Sequence, residues 1–219
     1  MPSLKGKLLL AAPAMQDPNF ARSVVLIIKH DSDGALGLIL NHPTGATVRE
    51  AIELNGDSLG DDQATLFRGG PCDGPLMVLH ERPDLAQETI IPEGSDEPGA
   101  TPELQTNPGV DHPGEEFPGA GVQPGGGVYF TVEPELVRDL LTTPGIKARY
   151  FHGYAGWAPN QLDAELQVGG WLTIDASAQT IFDPDVGSHA WTARLKERTR
   201  EALKTQINPN LIPPDPSVN

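Results

Sequence analysis

Ser23-Val-Val-Leu-Ile-Ile-Lys-His-Asp-Ser-Asp-Gly-Ala-Leu-Gly-Leu-Ile-Leu-Asn41 consists of two apolar runs folded about a short polar break. The first run is rich in β-branched residues and almost continuously apolar. That suits a strand covered on both faces, because each side must find apolar neighbours. Asp31-Ser-Asp-Gly34 supplies hairpin chemistry: the aspartates bond their own backbone, and the glycine accepts positive φ. The second run therefore returns antiparallel to the first. Gly37 within it signals a bulge or a close backbone approach.

Working outward, the same pattern recurs. Residues 8–12 read as a strand, and Asp17-Pro-Asn-Phe20 as a turn in which Pro18 presets φ. Thr47 with Glu50 three residues on forms a capping box, so 47–54 is expected to be helical. Residues 65–68 and 76–80 read as strands on either side of a Gly69-Gly-Pro71 turn. Further on, 128–131 is a strand and 134–141 a helix with proline in its first turn. Residues 148–154 form a strand leading into a glycine turn, and 160–168 a helix. Residues 171–174 and 180–182 are expected to form a closing hairpin. Residues 188–206 form an amphipathic helix with Trp191, Leu195, Ala202 and Leu203 inward. Strands come in adjacent pairs with single helices between them, which makes the fold class α+β with a mostly antiparallel or mixed sheet. No internal repeat is visible.

Composition sets the bounds. The 219 residues fit one domain with a sizeable core, taken as 1–207 with a flexible tail at 208–219. Between 92 and 126 there are seven prolines, seven acidic residues and no lysine or arginine. Such a segment buries too little apolar surface to offset its ordering entropy, and it is expected to be a disordered acidic insertion. The formal net charge of −15 repels a phosphate backbone, so direct nucleic-acid binding is not expected. The one cysteine, Cys72, excludes an internal disulfide and fits a reducing compartment. No apolar run reaches the ~20 residues that cross a bilayer. The run that follows Lys5 and Lys7 reads as a buried first strand rather than a secretory signal. The expected location is the cytoplasm, without membrane association.

Four segments taken in order carry a resemblance. They are Leu9-Leu-Ala-Ala-Pro13 with Asp17-Pro-Asn-Phe-Ala-Arg-Ser-Val-Val25; His30-Asp-Ser-Asp-Gly-Ala-Leu-Gly-Leu-Ile-Leu-Asn-His-Pro43; Gly69-Gly-Pro71 leading to Val78-Leu-His80; and Gly153-Tyr-Ala-Gly-Trp157 with Gln161-Leu162 and Glu165-Leu166. Together they resemble the YqgE/AlgH family of bacterial proteins. The resemblance implies one domain with an antiparallel sheet, a second curved strand layer and flanking helices. It also brings a transcriptional-regulator label, but no reaction. Three features depart from the family pattern. Asn160 stands where glycine is usual, and asparagine tolerates left-handed φ and can cap a helix. Cys72 replaces an aliphatic residue. The 92–126 stretch is an insertion.

Catalytic and metal chemistry find little support in the sequence. Ser23 and His30 lie on one strand about 23 Å apart at ~3.3 Å per residue, and no Gly-x-Ser-x-Gly elbow is present. Cys72 with His80 is a second nucleophile pair; a lone cysteine is more often a small hydrophobe. The six histidines are scattered without a His-x-x-x-His pair. Asp31-Ser-Asp-Gly34 begins like a calcium loop but has His42 at the twelfth position instead of glutamate. The glycine runs lack a phosphate-loop ending. In the last helix, Arg194, Lys196, Arg198, Arg200 and Lys204 are interleaved with Glu197 and Glu201, a pattern of surface pairing. No catalytic residue, metal or cofactor is assigned.

The candidate ligand-binding set is Asp17, Asn19, Ser23, Asn41, His80, Gly156, Trp157, Gln161 and Glu165. The expectation places the glycine–tryptophan corner against the Asp17–Asn19 bend. Gln161 and Glu165, four apart, share one helix face there. On this reading the chain is a non-enzymatic binding or regulatory module for a small molecule or protein. The alternatives are a hydrolase-like enzyme using histidine or carboxylate chemistry near Trp157, and a transcription-associated regulator.

Overall fold

The computed structural model describes residues 2–51, 59–61, 63–91 and 127–206. The expected acidic insertion, the tail and residues 52–54 of the expected 47–54 helix lie outside these residues. The strands are β1 (Lys7–Ala11), β2 (Val24–Asp31), β3 (Gly34–Ile39), β4 (Pro43–Thr47), β5 (Thr65–Arg68), β6 (Cys72–His80), β7 (Glu88–Ile91), β8 (Val128–Thr131), β9 (Ala148–Trp157) and β10 (Trp171–Asp175). The helices are α1 (Val48–Ala51), α2 (Pro134–Thr142), α3 (Gln161–Gln167), α4 (Ala178–Ile181) and α5 (Gly187–Gln206). The fold is α+β, with a sheet ordered β10-β1-β2-β3-β9-β6-β8-β7 and β4 and β5 attached beside β9. Pairing is antiparallel except for β5 with β9. No helix among the described residues is long and apolar enough to cross a membrane.

The sheet curls into a half-barrel. The curl brings β7, at one end, close to the strand next to the other end: a Cβ on Gly6, just before β1, would stand 2.9 Å from the Ile90 carbonyl oxygen on β7. Alternation along β2 explains the layers. Val24, Leu26 and Ile28 face the concave interior with Phe67, Leu79 and Phe151, and α5 closes that side with Trp191. Val25 and Ile27 face outward beneath α3 and meet Trp157, Leu162 and Trp171. On the other half of the sheet the outer face carries Val78 and Tyr150 beneath Val137, Leu140 and Leu141 of α2. Both faces of β2 are thus apolar because each has its own helix. Each fully buried Leu or Ile there contributes roughly 1.5–3 kcal/mol.

β9 holds the two halves together. β6 runs along one edge of it, from His80 opposite Ala148 to Cys72 opposite Tyr154. On the other edge β9 changes partner, from β5 at 150–152 to β3 at 155–157. The switch occurs where backbones touch: a Cβ on Gly70 would lie 2.1 Å from the Tyr154 carbonyl carbon, and one on Gly69 2.2 Å from the Gly153 oxygen. Gly153 itself has φ +72°. Only glycine permits such an approach.

Several expectations are corrected. The Gly153–Trp157 stretch is not a turn but the continuation of β9; the chain turns only at Ala158–Asn160, with Asn160 at φ 61°. The expected hairpin of 171–174 with 180–182 does not form. β10 pairs with β1 instead, and residues 178–181 make the short helix α4, capped by Ser177 accepting from Thr180 N. The cap at Ser177 is what turns the second of these segments into a helix. The capping box of α1 is formed: Thr47 N donates to Glu50 Oε2 at 2.8 Å, and Glu50 N to Thr47 Oγ1 at 3.3 Å. Strands β4 and β7 were not foreseen. β4 contains Pro43 and Gly45, poor strand formers, and is held by its pairing with β5.

Candidate functional site

The corner chosen from sequence is assembled, and it is closed. Phe20, from the Asp17–Phe20 bend, stacks on Trp157 with centroids 6.0 Å apart and meets Trp171 edge-on at 5.5 Å. The two indoles contact each other edge-on at 6.0 Å. Glu165 lies beneath them on α3. Its Oε2 accepts Trp157 Nε1–H at 3.0 Å and Trp171 Nε1–H at 2.7 Å, and its Oε1 accepts Gln161 Nε2–H at 2.9 Å. The Gln161 Oε1 in turn accepts Ala158 N–H at 3.0 Å. Trp157 and Trp171 are buried. The four-residue spacing of Gln161 and Glu165 thus serves to tie the turn and two tryptophans to one helix.

The remaining members of the set lie apart. Asp17 is exposed and accepts Asn19 N–H at 2.8 Å, and the Asn19 side-chain oxygen accepts from Arg68 at 3.5 Å. Gly156 lies exposed on β9 near the Tyr154 ring and Cys72. Ser23 is fully buried and its Oγ has no partner among the described residues. His80 pairs with Ala148 at the far end of β9 from Trp157, about 30 Å of strand away at ~3.3 Å per residue. It does not join the corner. Burial pushes the His80 imidazole down to about 4, although Arg82 N–H bonds its Nδ1. His30 accepts Leu4 N–H at Nδ1, and its Nε2 faces Asp163 at 3.7 Å. Both ring nitrogens are therefore turned to structural neighbours.

Asn41, 2% exposed, leads to a different place. Its Oδ1 accepts Val24 N–H at 2.8 Å, and its Nδ2 donates to Arg22 O at 2.9 Å and to Gly187 O at 2.8 Å. It clamps the head of α5 to the mouth of the half-barrel. There a cleft opens between the sheet and the α4–α5 connection, lined by Asn41, Arg149, Thr180, Asp183, Asp185 and Arg194 together with apolar Val24, Leu40 and Ala190. Arg149 is 8% exposed. Its Nη1 donates to Leu40 O at 3.0 Å and its Nη2 to Asp183 O, and its guanidinium lies 4.8 Å from the centre of the Phe67 ring. Burial pulls its pKa down to about 10, opposed by the charge of Asp183. Asp183 itself is occupied elsewhere: Oδ2 pairs with Arg194, and Oδ1 accepts Asp185 N–H at 3.0 Å.

Of the cleft's polar residues the sequence reading named only Asn41 as a site candidate. Arg149 carried a usable signal, being the one cation inside the strand-forming run Ala148-Arg-Tyr-Phe151. Arg194 was read as surface, because helical spacing cannot show that Asp183 reaches back to it. Among the described residues no group of three or more His, Cys, Asp or Glu is placed to hold a metal ion.

The architecture has relatives. The solved solution structure of the AlgH protein from Pseudomonas aeruginosa superposes with TM-score 0.61 at 26% identity, covering 95% of this chain and 96% of that one. A crystal structure from Corynebacterium diphtheriae, at 21% identity and TM-score 0.55, shares the fold. A UPF0301 protein of Streptomyces avermitilis is 32% identical over 99% of this chain and 96% of its own length. One from Chlorobaculum tepidum is 31% identical over 94% and 92%. With a family model described as AlgH-like matching residues 8–202, in agreement with the curled sheet and its helices, the chain belongs to the AlgH-like family of UPF0301 proteins.

Proposed function

We propose that this chain is a non-enzymatic binding module with a regulatory role in the cytoplasm, and that its binding site is the cleft at the mouth of the half-barrel. The observation that carries this reading is Arg149, a guanidinium buried beside a small recess with no carboxylate bonded to it among the described residues. A buried charge held only by carbonyls and a ring is under-compensated, and perturbed groups in clefts concentrate at functional sites. The non-enzymatic part is supported by how the titratable groups near Trp157 are engaged: Glu165 uses both oxygens on structural donors, and His30 Nδ1 accepts Leu4 N–H. The cytoplasmic assignment is supported by the single cysteine. The overall charge and the pairing of Arg194 with Asp183 and Glu197 argue for an output through protein or small-molecule binding rather than DNA contact.

A thermal-shift screen of metabolites and nucleotides tests this. Each variant is compared with its own unliganded melting point. A stabilising ligand is expected to keep its effect in Trp157→Phe and to lose it in Arg149→Gln. A ligand lost only in Trp157→Phe would move the site back to the aromatic corner.

A further inference from the structure

We propose that β10 is a self-association edge: two copies of this chain pair antiparallel through it, about a twofold axis at Thr173, to form one continuous sheet. The surface is separate from the recess at Arg149 and stands without it. Three features of the strand carry the proposal.

The first is that the edge is open. β10 ends the sheet and pairs with β1 alone. Ala12 N–H bonds Gly170 O. Alternation from that bond turns the backbone groups of Leu172 and Ile174 toward β1, and those of Trp171, Thr173 and Asp175 away from it. The outward groups have no bonded partner among the described residues. Natural edges are blunted by proline, lysine, bulges or covering segments. β4 contains Pro43, and β7 has its Ile90 carbonyl against Gly6. β10 has no proline, no lysine and an unbroken register along β1. Its Trp171, Thr173 and Ile174 all favour strands.

The second is the inner row. Leu172 and Ile174 are half-buried, while Leu10 and Leu8 opposite them on β1 are fully buried in the concave core. The difference is the missing neighbour on the open side. A further strand there buries the remaining apolar area at roughly 25 cal/mol per Å².

The third feature makes a second copy the neighbour, because β10 complements itself. With Thr173 opposite the partner's Thr173, Leu172 falls opposite the partner's Ile174 on the inner face. On the outer face Trp171 falls opposite the partner's Asp175. Threonine pairs and apolar pairs both stabilise adjoining strands. The one charged side chain of the strand, Asp175, is paired with Lys7 and lies off the axis, so like charges do not face each other. This register also pairs the whole of β10, whereas an axis at Leu172 or Ile174 leaves an end unmatched. Each chain carries a net charge of −15, so repulsion opposes the pairing until salt screens it. Five residues a side make a small contact, at the weak end of protein interfaces. The dimer is therefore reversible and concentration-dependent.

The test is sedimentation equilibrium of the full chain at about 0.15 M salt, from about 10 µM to 1 mM, with hydrogen exchange in parallel. The mass is expected to rise from 23.3 kDa toward twice that value. Over the same range the amides of Trp171, Thr173 and Asp175 are expected to gain about tenfold protection, while those of Leu172 and Ile174, already bonded to β1, do not change. Thr173→Lys sets two like charges face to face and is expected to weaken the dimer at least about tenfold, and so is Thr173→Glu. Mixed in equal parts, the two variants are expected to pair with each other, because only at the axis does a residue face its own copy. Thr173→Pro guards against a charge that disturbs the strand: it removes an outward N–H, leaves the bonds to β1 intact and is expected to abolish pairing. A chain that stays at 23.3 kDa up to the highest concentration overturns the proposal. So does a dimer that survives the three substitutions, or one that forms without protecting Trp171, Thr173 and Asp175. Failure of the Lys and Glu variants to pair when mixed, although each is folded, overturns the axis at Thr173.

Discussion

Trp171 and Glu165 are joined by a 2.7 Å hydrogen bond from the indole N–H to Oε2, and the same oxygen accepts the indole of Trp157. One carboxylate therefore satisfies two buried donors that come from different strands. Replacing Glu165 with alanine leaves both indole N–H groups without their acceptor, and an unsatisfied buried donor costs about 1–3 kcal/mol. The expected loss is about 3 kcal/mol in urea unfolding, with a change in tryptophan emission in the folded state. Glu165→Gln is expected to lose less, since its carbonyl can still accept. Equal stability of Glu165→Ala and wild type would show that water replaces the carboxylate.

Asn41 makes a comparable junction among three segments: the entry to β2 through Arg22 and Val24, its own connection between β3 and β4, and α5 through Gly187. Asn41→Ala is expected to cost about 2–4 kcal/mol, because a buried N–H and two carbonyls lose a partner at once. Hydrogen exchange provides the specific check. Protection is expected to fall at Val24 and in the first turn of α5 before it falls elsewhere in the sheet.

Close backbone contact at the β9 partner switch gives the severest prediction. A methyl on Gly70 would sit 2.1 Å from the Tyr154 carbonyl carbon and 2.2 Å from Ala155 N, and backbone cannot move aside as a side-chain tip can. Gly70→Ala is expected to destabilise by more than about 4 kcal/mol, in the range reserved for steric failures of the core. Gly45→Ala makes a useful contrast. Its Cβ meets nothing within 4 Å, so only its φ of +83° opposes the substitution. The loss there should stay near 1–2 kcal/mol. Unfolding curves of the two variants side by side separate the causes.

What the sequence made legible follows from which forces act locally. The β2–β3 hairpin, the capping box at Thr47 and Glu50, and the apolar face of α2 are set by neighbours a few residues away, and each appears where periodicity and turn chemistry put it. The contact between the Asp17–Phe20 bend and Trp157 was also legible, although its meaning was not: spacing showed that Gln161 and Glu165 share a face, but not that Trp171 would arrive to occupy it. Arg149, Asp183 and Arg194 were not legible as a group. They lie 34 and 11 residues apart along the chain and meet only because the sheet curls and α5 crosses its mouth. Gly153 misled in a simple way. Its positive φ is real, but it lies within a continuing strand, opposite the irregularity of β6 between Cys72 and Leu76, rather than in the turn that glycine usually signals.

His80 yields a pH dependence whose sign can be worked out. The imidazole is 0% exposed, it accepts Arg82 N–H at Nδ1, and its Nε2 has no partner among the described residues. Burial depresses its pKa from 6.5 to about 4 in the folded chain. Between those values the unfolded chain binds the proton and the folded chain does not, so stability rises with pH across that window. The contribution is complete above pH 6.5 and is lost as pH falls toward 4. At 1.36 kcal/mol per unit it amounts to as much as about 3 kcal/mol. His80→Asn keeps an acceptor for Arg82 N–H and removes the titration. It is expected to flatten the slope of unfolding free energy between pH 4 and 6.5 relative to wild type, measured by urea denaturation at half-unit steps. The carboxylates that titrate in the same range act in both proteins and cancel in the difference. A slope unchanged by the substitution would mean that His80 becomes protonated without leaving its buried site, which requires that solvent or a neighbouring acceptor reach Nε2.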